Sequence, residues 1–216
     1  MEFNDVVESR HSVRDFEDKP LPEYIVRKIA RVAQHTPTWV NSQPTKIYIV
    51  SGDAAKRLRE RFREAHSQGV DTAAEIQPLN RDQWPQWNQN AMAQWTTEFK
   101  ETFKPGQVNF YELQNNLFRA PTFAFFTVGQ NLSEWSTFDA GAFVNSFVLA
   151  AKNEGVDSII AYVLVTYPAI VREIAQIPND EKLIVGVALG YASSHPINTF
   201  IPSRIPVDDV LHVVSK

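Results

Sequence analysis

The chain has 216 residues, 44% of them hydrophobic and 21% charged, with no cysteine and 21 basic against 25 acidic side chains, a formal net charge of −4. That composition suits a globular fold with a sizeable core, and the lack of cysteine excludes thiolate catalysis, disulfides and cysteine-held iron–sulfur clusters. An acidic chain without a basic tract disfavours a nucleic-acid partner. The histidines show no metal-ligand spacing, and the longest apolar stretch, around Ala142–Ala151, is too short for a membrane span.

The acidic N-terminus lacks a signal-peptide core, so a cytoplasmic location is expected. Phe3, Val6 and Val7 share a helical face and predict a short helix over about 3–9. Pro22 suits a first turn and Ile25, Val26, Ile29 and Ala33 form a stripe, predicting a helix over about 22–34, ended by Thr36-Pro37. A polar loop, Thr38–Thr45, leads to a buried strand at Lys46–Val50 and a charged helix near 53–66. Residues 67–106 differ in kind: polar, broken at Pro78, Pro85 and Pro105, and holding Trp84, Trp87 and Trp95. Such a stretch reads as a helical pair packed on the core, as a substrate-facing lid, or as both.

A helix is expected near 107–118 and a second buried strand at Thr122–Val128. Phe138, Ala142, Val148 and Leu149 belong to an almost wholly apolar helix ended by Gly155, suited to a core or a dimer interface. A strand at 157–163, a short helix at 168–176 and a strongly apolar strand at 182–191 complete the chain. The sum is α+β or three-layer, with about four strands and six or more helices.

Three segments could carry chemistry. In an extended chain Arg10, Ser12 and Arg14 point the same way, each about 6.6 Å from the next. Two guanidinium forks and a hydroxyl suit a dianionic phosphate, although alone the segment reads first as a solvated charged loop. Asn41 and Gln43, also two apart, offer amides that donate and accept at once, as a ring with imide carbonyls requires; alone they read first as a capped turn. Arg204, after Gly190-Tyr191 and Asn198, offers a third positive charge or a plain surface ion pair. No G-x-G-x-x-G, P-loop or G-x-S-x-G motif is present.

Together, the Arg10-His11-Ser12-Val13-Arg14 start, the Pro37-Thr38-Trp39-Val40-Asn41-Ser42-Gln43-Pro44 loop, the Asp139-Ala140-Gly141 helix with Gly155-Val156-Asp157-Ser158 after it, and the Gly190-Tyr191, Asn198 and Arg204 ending resemble the nitroreductase family of flavin mononucleotide (FMN) enzymes. The resemblance spans about residues 3 to 210. It implies a three-layer α/β/α fold with a mostly antiparallel central sheet, a single domain over 1–216 with a lid excursion at 67–106, and an intertwined homodimer with FMN at the interface. Arg10, Ser12 and Arg14 would meet the FMN phosphate and ribityl chain, Arg204 the phosphate, and His11 would contribute through its backbone or ring. Asn41 and Gln43 would meet the flavin ring or ribityl chain, Pro37 and Thr38 would approach from the partner subunit, and Ile160-Ala161-Tyr162 would face the flavin N5 edge.

The implied activity passes hydride from NADH or NADPH through FMN to a nitroaromatic or quinone-like acceptor in ping-pong fashion. No catalytic side chain and no metal are implied. Alternatives on the same scaffold are enone reduction, dehalogenation, flavin reduction or non-catalytic FMN binding. Thr45 and Ile160-Ala161-Tyr162 depart from the family pattern, which often has an aromatic residue at the first place and proline with Gly or Glu at the second. Trp84, Trp87, Trp95, Phe99 and Phe103 are candidates for an aromatic wall over the flavin.

Overall fold

The computed structural model describes residues 1–215; Lys216 lies outside the described residues. Four strands, β1 (Lys46–Ser51), β2 (Thr122–Gly129), β3 (Asp157–Ala161) and β4 (Glu181–Gly190), pair antiparallel throughout in the order β1-β2-β4-β3. Side chains alternate across a strand, and β2 uses both faces. Phe123 and Phe125 enter one core, while Ala124 and Phe126 enter the other. A strand covered on both sides needs few polar residues, which is why Thr122–Val128 reads as apolar but for its threonines, of which Thr127 donates its hydroxyl to Glu181.

The first core holds Leu58 and Phe62 of α3 (Gly52–Ser67), Leu113 of α5 (Phe110–Asn115) and Val171 of α7 (Pro168–Ala175). The second holds Val26 and Ile29 of α2 (Glu23–Ala33) with Phe143, Phe147 and Val148 of α6 (Glu134–Asn153). The layers are therefore helix, sheet, helix. Helix α1 (Phe3–Ser9) lies against α6, burying Val6.

Three local differences from the sequence reading have physical causes. Residues 107–118 are not one helix. α5 ends at Asn115, and Leu117, Phe118 and Arg119 take left-handed backbone at φ 46°, 61° and 58°. That conformation costs on the order of 1–3 kcal/mol per residue, offset by full burial of Leu117 and Phe118 and by an ion pair that Arg119 makes across the fold. β3 stops at Ala161, and Tyr162–Val165 turn as a 3₁₀ helix that lays Leu164 over β4. Residues 67–106 hold one long helix, α4 (Gln86–Thr102), rather than a helical pair. Of their tryptophans only Trp95 packs on the core, while Trp84 and Trp87 are exposed.

Gly186 of β4 is where this turn meets the sheet: a Cβ there would stand 2.6 Å from the Leu164 Cβ. Gly186→Ala is therefore expected to destabilise the protein by about 1–3 kcal/mol through overpacking. Urea denaturation checks it, and an unchanged midpoint would mean that the turn shifts without penalty.

A cationic cluster beside the sheet edge

After α1 the chain runs extended and docks on the outer side of β3. Ser12 bridges Ser158 in parallel, and the Val13 N–H donates to the Ser158 carbonyl at 3.1 Å. Asn198, in the loop after β4, holds this segment from the other side. Its Oδ1 accepts the Arg14 N–H at 2.8 Å, and its Nδ2 donates to the Asp15 and Ser193 carbonyls at 2.7 and 3.1 Å. His11 stands between two carbonyls, Nδ1 3.0 Å from that of Ser9 and Nε2 3.1 Å from that of Asn198. Asp15 is fully buried and takes both arms of the Arg119 guanidinium at 2.6 Å, together with the Ser193 hydroxyl. Val13, Arg14, Asp15 and Phe16 are all buried, so the segment is not a solvated loop.

Arg14 is only 7% exposed. Its Nη1 donates to the Ser12 carbonyl at 2.9 Å, and its guanidinium lies 5.8 Å from the centre of the Phe200 ring. None of the ion pairs among the described residues involves Arg14, Arg10 or Arg204. Burial without a counter-charge pushes the Arg14 pKa down to about 10. Arg10, half-buried, is lowered by its own desolvation and then by the like charge of Arg204. Arg204 is exposed and folds back on its neighbours, donating to the Pro202 and Ser203 carbonyls at 3.0 Å. A guanidinium buried without a counter-charge, near a pair of arginines that repel one another and form no ion pair, suits an anion with several acceptor oxygens.

The β3 edge continues this site. The Ser158 carbonyl faces outward to Val13, so the backbone N–H and C=O of Ile160, two residues on, face the same open edge. Ile160 is exposed, Ala161 is buried, and the exposed Tyr162 donates its hydroxyl to Gln77 Oε1 at 3.1 Å. The Arg10–Arg14 cluster, Arg204 and the 160–162 corner therefore share one side of one chain.

The Pro37–Gln43 loop lies elsewhere. Val40, Asn41 and Gln43 take φ of 45°, 57° and 46°, an unusual set for non-glycine residues and a kind of strain that gathers at functional sites. Thr38 Oγ1 accepts the Gln43 N–H at 3.0 Å, and Gln43 Nε2 donates to the Asn41 carbonyl at 3.4 Å. The Trp39 N–H donates at 3.1 Å to the buried carboxylate of Asp139, near the start of α6. Ser12, by contrast, is held just beyond the end of α6, where the Met1 amino group reaches Asn153. Asp139 and Asn153 are roughly 21 Å apart along the helix axis. One chain brings together Arg10, His11, Ser12, Arg14, Arg204 and Ile160–Tyr162, but it does not bring Pro37, Thr38, Asn41 and Gln43 to them. Asp15, Asn198 and Asp139 hold these two groups in place. Asp15 does not stand out in sequence, and Asn198 and Asp139 stand out only as parts of a wider pattern, because each acts through a partner about a hundred or more residues away.

A family model described as "Nitroreductase family" matches residues 7–191. The chain is 28% identical to a chloronitrobenzene nitroreductase of Comamonas testosteroni, covering 96% of this chain and 94% of that one. It is 30% identical to an NADH dehydrogenase of Thermus thermophilus, covering 94% and 91%. Its fold superposes with a TM-score of 0.88 and 22% identity on the FMN-dependent nitroreductase of Mycobacterium smegmatis solved with NADPH, covering 98% and 97%.

The buried charge makes the site testable without any organic ligand. Inorganic phosphate at constant ionic strength is expected to raise the melting temperature, since binding to the native state alone stabilises it. Arg14→Met should abolish that rise while melting, without phosphate, at or above the wild-type temperature, because the variant no longer buries a bare charge. An equal phosphate response in both proteins would remove Arg14 from the site.

Proposed function

Since the chain belongs to the nitroreductase family, we propose that it is an FMN-dependent NAD(P)H oxidoreductase that reduces nitroaromatic or quinone-like acceptors. The observation that carries this reading is the Arg14 guanidinium, buried with no ion-pair partner, on the same segment as Arg10, whose charge is opposed by that of Arg204. A phosphate ester with two negative charges answers that arrangement. Arg10, Arg14 and Arg204 would hold the phosphate, Ser12 and His11 would meet the phosphate end and ribityl chain, and the outward backbone of Ile160–Tyr162 would face the ring edge. The flavin, when bound, supplies the redox chemistry, taking hydride from NADH or NADPH and giving it to the acceptor in a second half-reaction. No side chain is required as nucleophile. The Tyr162 hydroxyl is already committed to Gln77.

The proposal includes a homodimer. Pro37, Thr38, Asn41 and Gln43 travel on one loop, and a second copy would carry that loop to the cationic cluster of the first. Two features support a partner. The outer face of α6 leaves Trp135 and Phe138 exposed. The tail beyond Arg204 exposes Val207, Val210, Leu211, Val213 and Val214, while a groove of about 850 Å³ runs between α2 and the open edge of β1, lined by Val26, Thr36, Thr45 and Ile47. Three threonine hydroxyls at that groove, of Thr36, Thr45 and Thr122, are buried without a hydrogen-bond partner. A β-branched tail added to the β1 edge would cover apolar surface on both. We further propose that residues 1–216 act as one domain with the acceptor side of the site formed by the 67–106 excursion. No helix among the described residues is long and apolar enough to cross a membrane, and a cytoplasmic enzyme is proposed.

Protein purified without added flavin is expected to be yellow and to release FMN in equimolar amount with the chain. It should oxidise NADH or NADPH only when a nitroaromatic such as 4-nitrobenzoate is added. A colourless protein that refuses FMN overturns the reading, whereas bound FMN without turnover on any acceptor leaves a flavin-binding protein. Truncation after Arg204 is expected to yield a monomer on size exclusion that has lost FMN. A flavin-loaded dimer from the truncated chain would exclude the tail from the assembly.

A further inference from the structure

The excursion helix α4 touches the cationic cluster at two independent places. Its Trp95 and Phe99, with Phe103 after it, surround the buried Phe200 ring at 5.5, 5.3 and 6.2 Å between centroids. That ring is the one over which Arg14 lies. Further along, the Glu98 carboxylate accepts the Ser203 N–H at 3.0 Å and the Ser203 hydroxyl. Gln94 closes the group, donating to Ser203 Oγ at 2.9 Å and to Glu98 Oε1 at 3.0 Å. Ser203 immediately precedes Arg204.

The exposed segment after Phe200 has reason to move. Arg204 stands near enough to Arg10 for their charges to oppose one another, and a short exposed stretch bearing a repelled charge swings toward solvent unless something holds it. The Glu98 clamp holds it one residue away. Both Glu98 oxygens accept from Ser203, and the bonds from the Ser203 hydroxyl and N–H, then from Gln94, with a smaller contribution from the charge of Arg204, keep the Glu98 carboxyl below its ordinary pKa. Glu98 binds the backbone and hydroxyl of Ser203 and not the guanidinium, so of the Arg204 donors only Nη1, which bonds the Pro202 and Ser203 carbonyls, is taken, and the others stay available to a ligand.

We infer that Glu98 is a positioning residue that holds Arg204 beside Arg10 to receive a phosphate group. The inference rests on the reading above that these arginines hold the FMN phosphate. On this account α4 serves the phosphate end of the site through both Phe200 and Ser203.

The test compares two flavins, FMN and riboflavin, which differ by the phosphate. Dissociation constants are measured by flavin fluorescence for wild type, Glu98→Ala, Glu98→Gln, Ser203→Ala, Arg204→Ala and the double variant Glu98→Ala with Arg204→Ala. Glu98→Ala is expected to weaken FMN about five- to tenfold, within the range of one ordinary hydrogen bond, and to leave riboflavin within about twofold. Glu98→Gln, which keeps an acceptor for the Ser203 N–H, should recover most of the loss, and Ser203→Ala should show a smaller loss of the same kind. The double variant should match Arg204→Ala alone, since Glu98 acts through that residue. Unchanged or tighter FMN binding, equal losses for FMN and riboflavin, or additive losses in the double variant would each overturn the role of Glu98 while leaving FMN binding intact. A wild-type protein that binds no FMN would overturn the underlying reading as well.

Discussion

A guanidinium buried without a carboxylate is the constraint around which this site is organised. Isolated buried charges are expensive, and Arg14 is not short of acidic neighbours, since Asp15 follows it directly. The two cannot pair because adjacent residues of an extended chain face opposite ways. Asp15 turns inward with Val13 and is compensated by Arg119 and the Ser193 hydroxyl, while Arg14 turns the other way, over Phe200. The extended backbone thus sorts two opposite charges into separate environments, one closed and one left for a ligand. Everything that keeps the backbone extended therefore maintains the open charge: Ser158 on one side, Asn198 on the other and Asp15 next in line.

The same fold leaves its two groups of candidate ligand-binding residues at opposite ends of α6. Asp139 fixes the strained Trp39–Gln43 loop near the start of that helix, and Ser158 fixes the Arg10–Arg14 segment just past its end. A rigid helix cannot shorten, so the separation is built in. The proposed homodimer would resolve it, because a self-complementary two-fold interface would bring the start of one such helix toward the end of the other. The apolar outer face of α6 and the apolar tail after Arg204 are what such an interface would cover. Assembly and ligand binding would then be one event.

Much of this was legible in the sequence where the signal is local. The extended run of the Arg10–Arg14 segment, the largely apolar run of β2, the apolar stripe of α2 and the apolar length of α6 all follow from local residue pattern, and the structure keeps them. Long-range choices left no such mark. Asp15 reads as one more charge in a charged run until Arg119 appears beside it. Leu117–Arg119 continues an apolar helical pattern, yet burial of Leu117 and Phe118 and the ion pair of Arg119 turn it left-handed, a case of tertiary packing overriding local propensity. Asn198 was visible as part of the C-terminal pattern, but its side-chain bonds to a segment far earlier in the chain were not.

The excursion at 67–106 shows how packing divides a stretch that sequence treats as uniform. Ala73 donates its N–H to the Thr166 carbonyl at 2.9 Å, Glu75 pairs with Arg172 at 2.6 Å, and Gln77 accepts from Tyr162. Further on, Trp95, Phe99 and Phe103 are locked into the Phe200 cluster. Lifting α4 as a flap would strip the support from beneath Arg14 and pull on Ser203, so it cannot open without disturbing the cationic cluster. The stretch between these two stitched regions, about residues 78–87, is different: it exposes Leu79, Trp84 and Trp87 and is held mainly by bonds within itself. Of the aromatic residues that sequence offers as a wall over a flavin ring, packing has thus assigned Trp95, Phe99 and Phe103 to the Phe200 cluster beneath Arg14. Trp84 and Trp87 are the two that this packing leaves exposed.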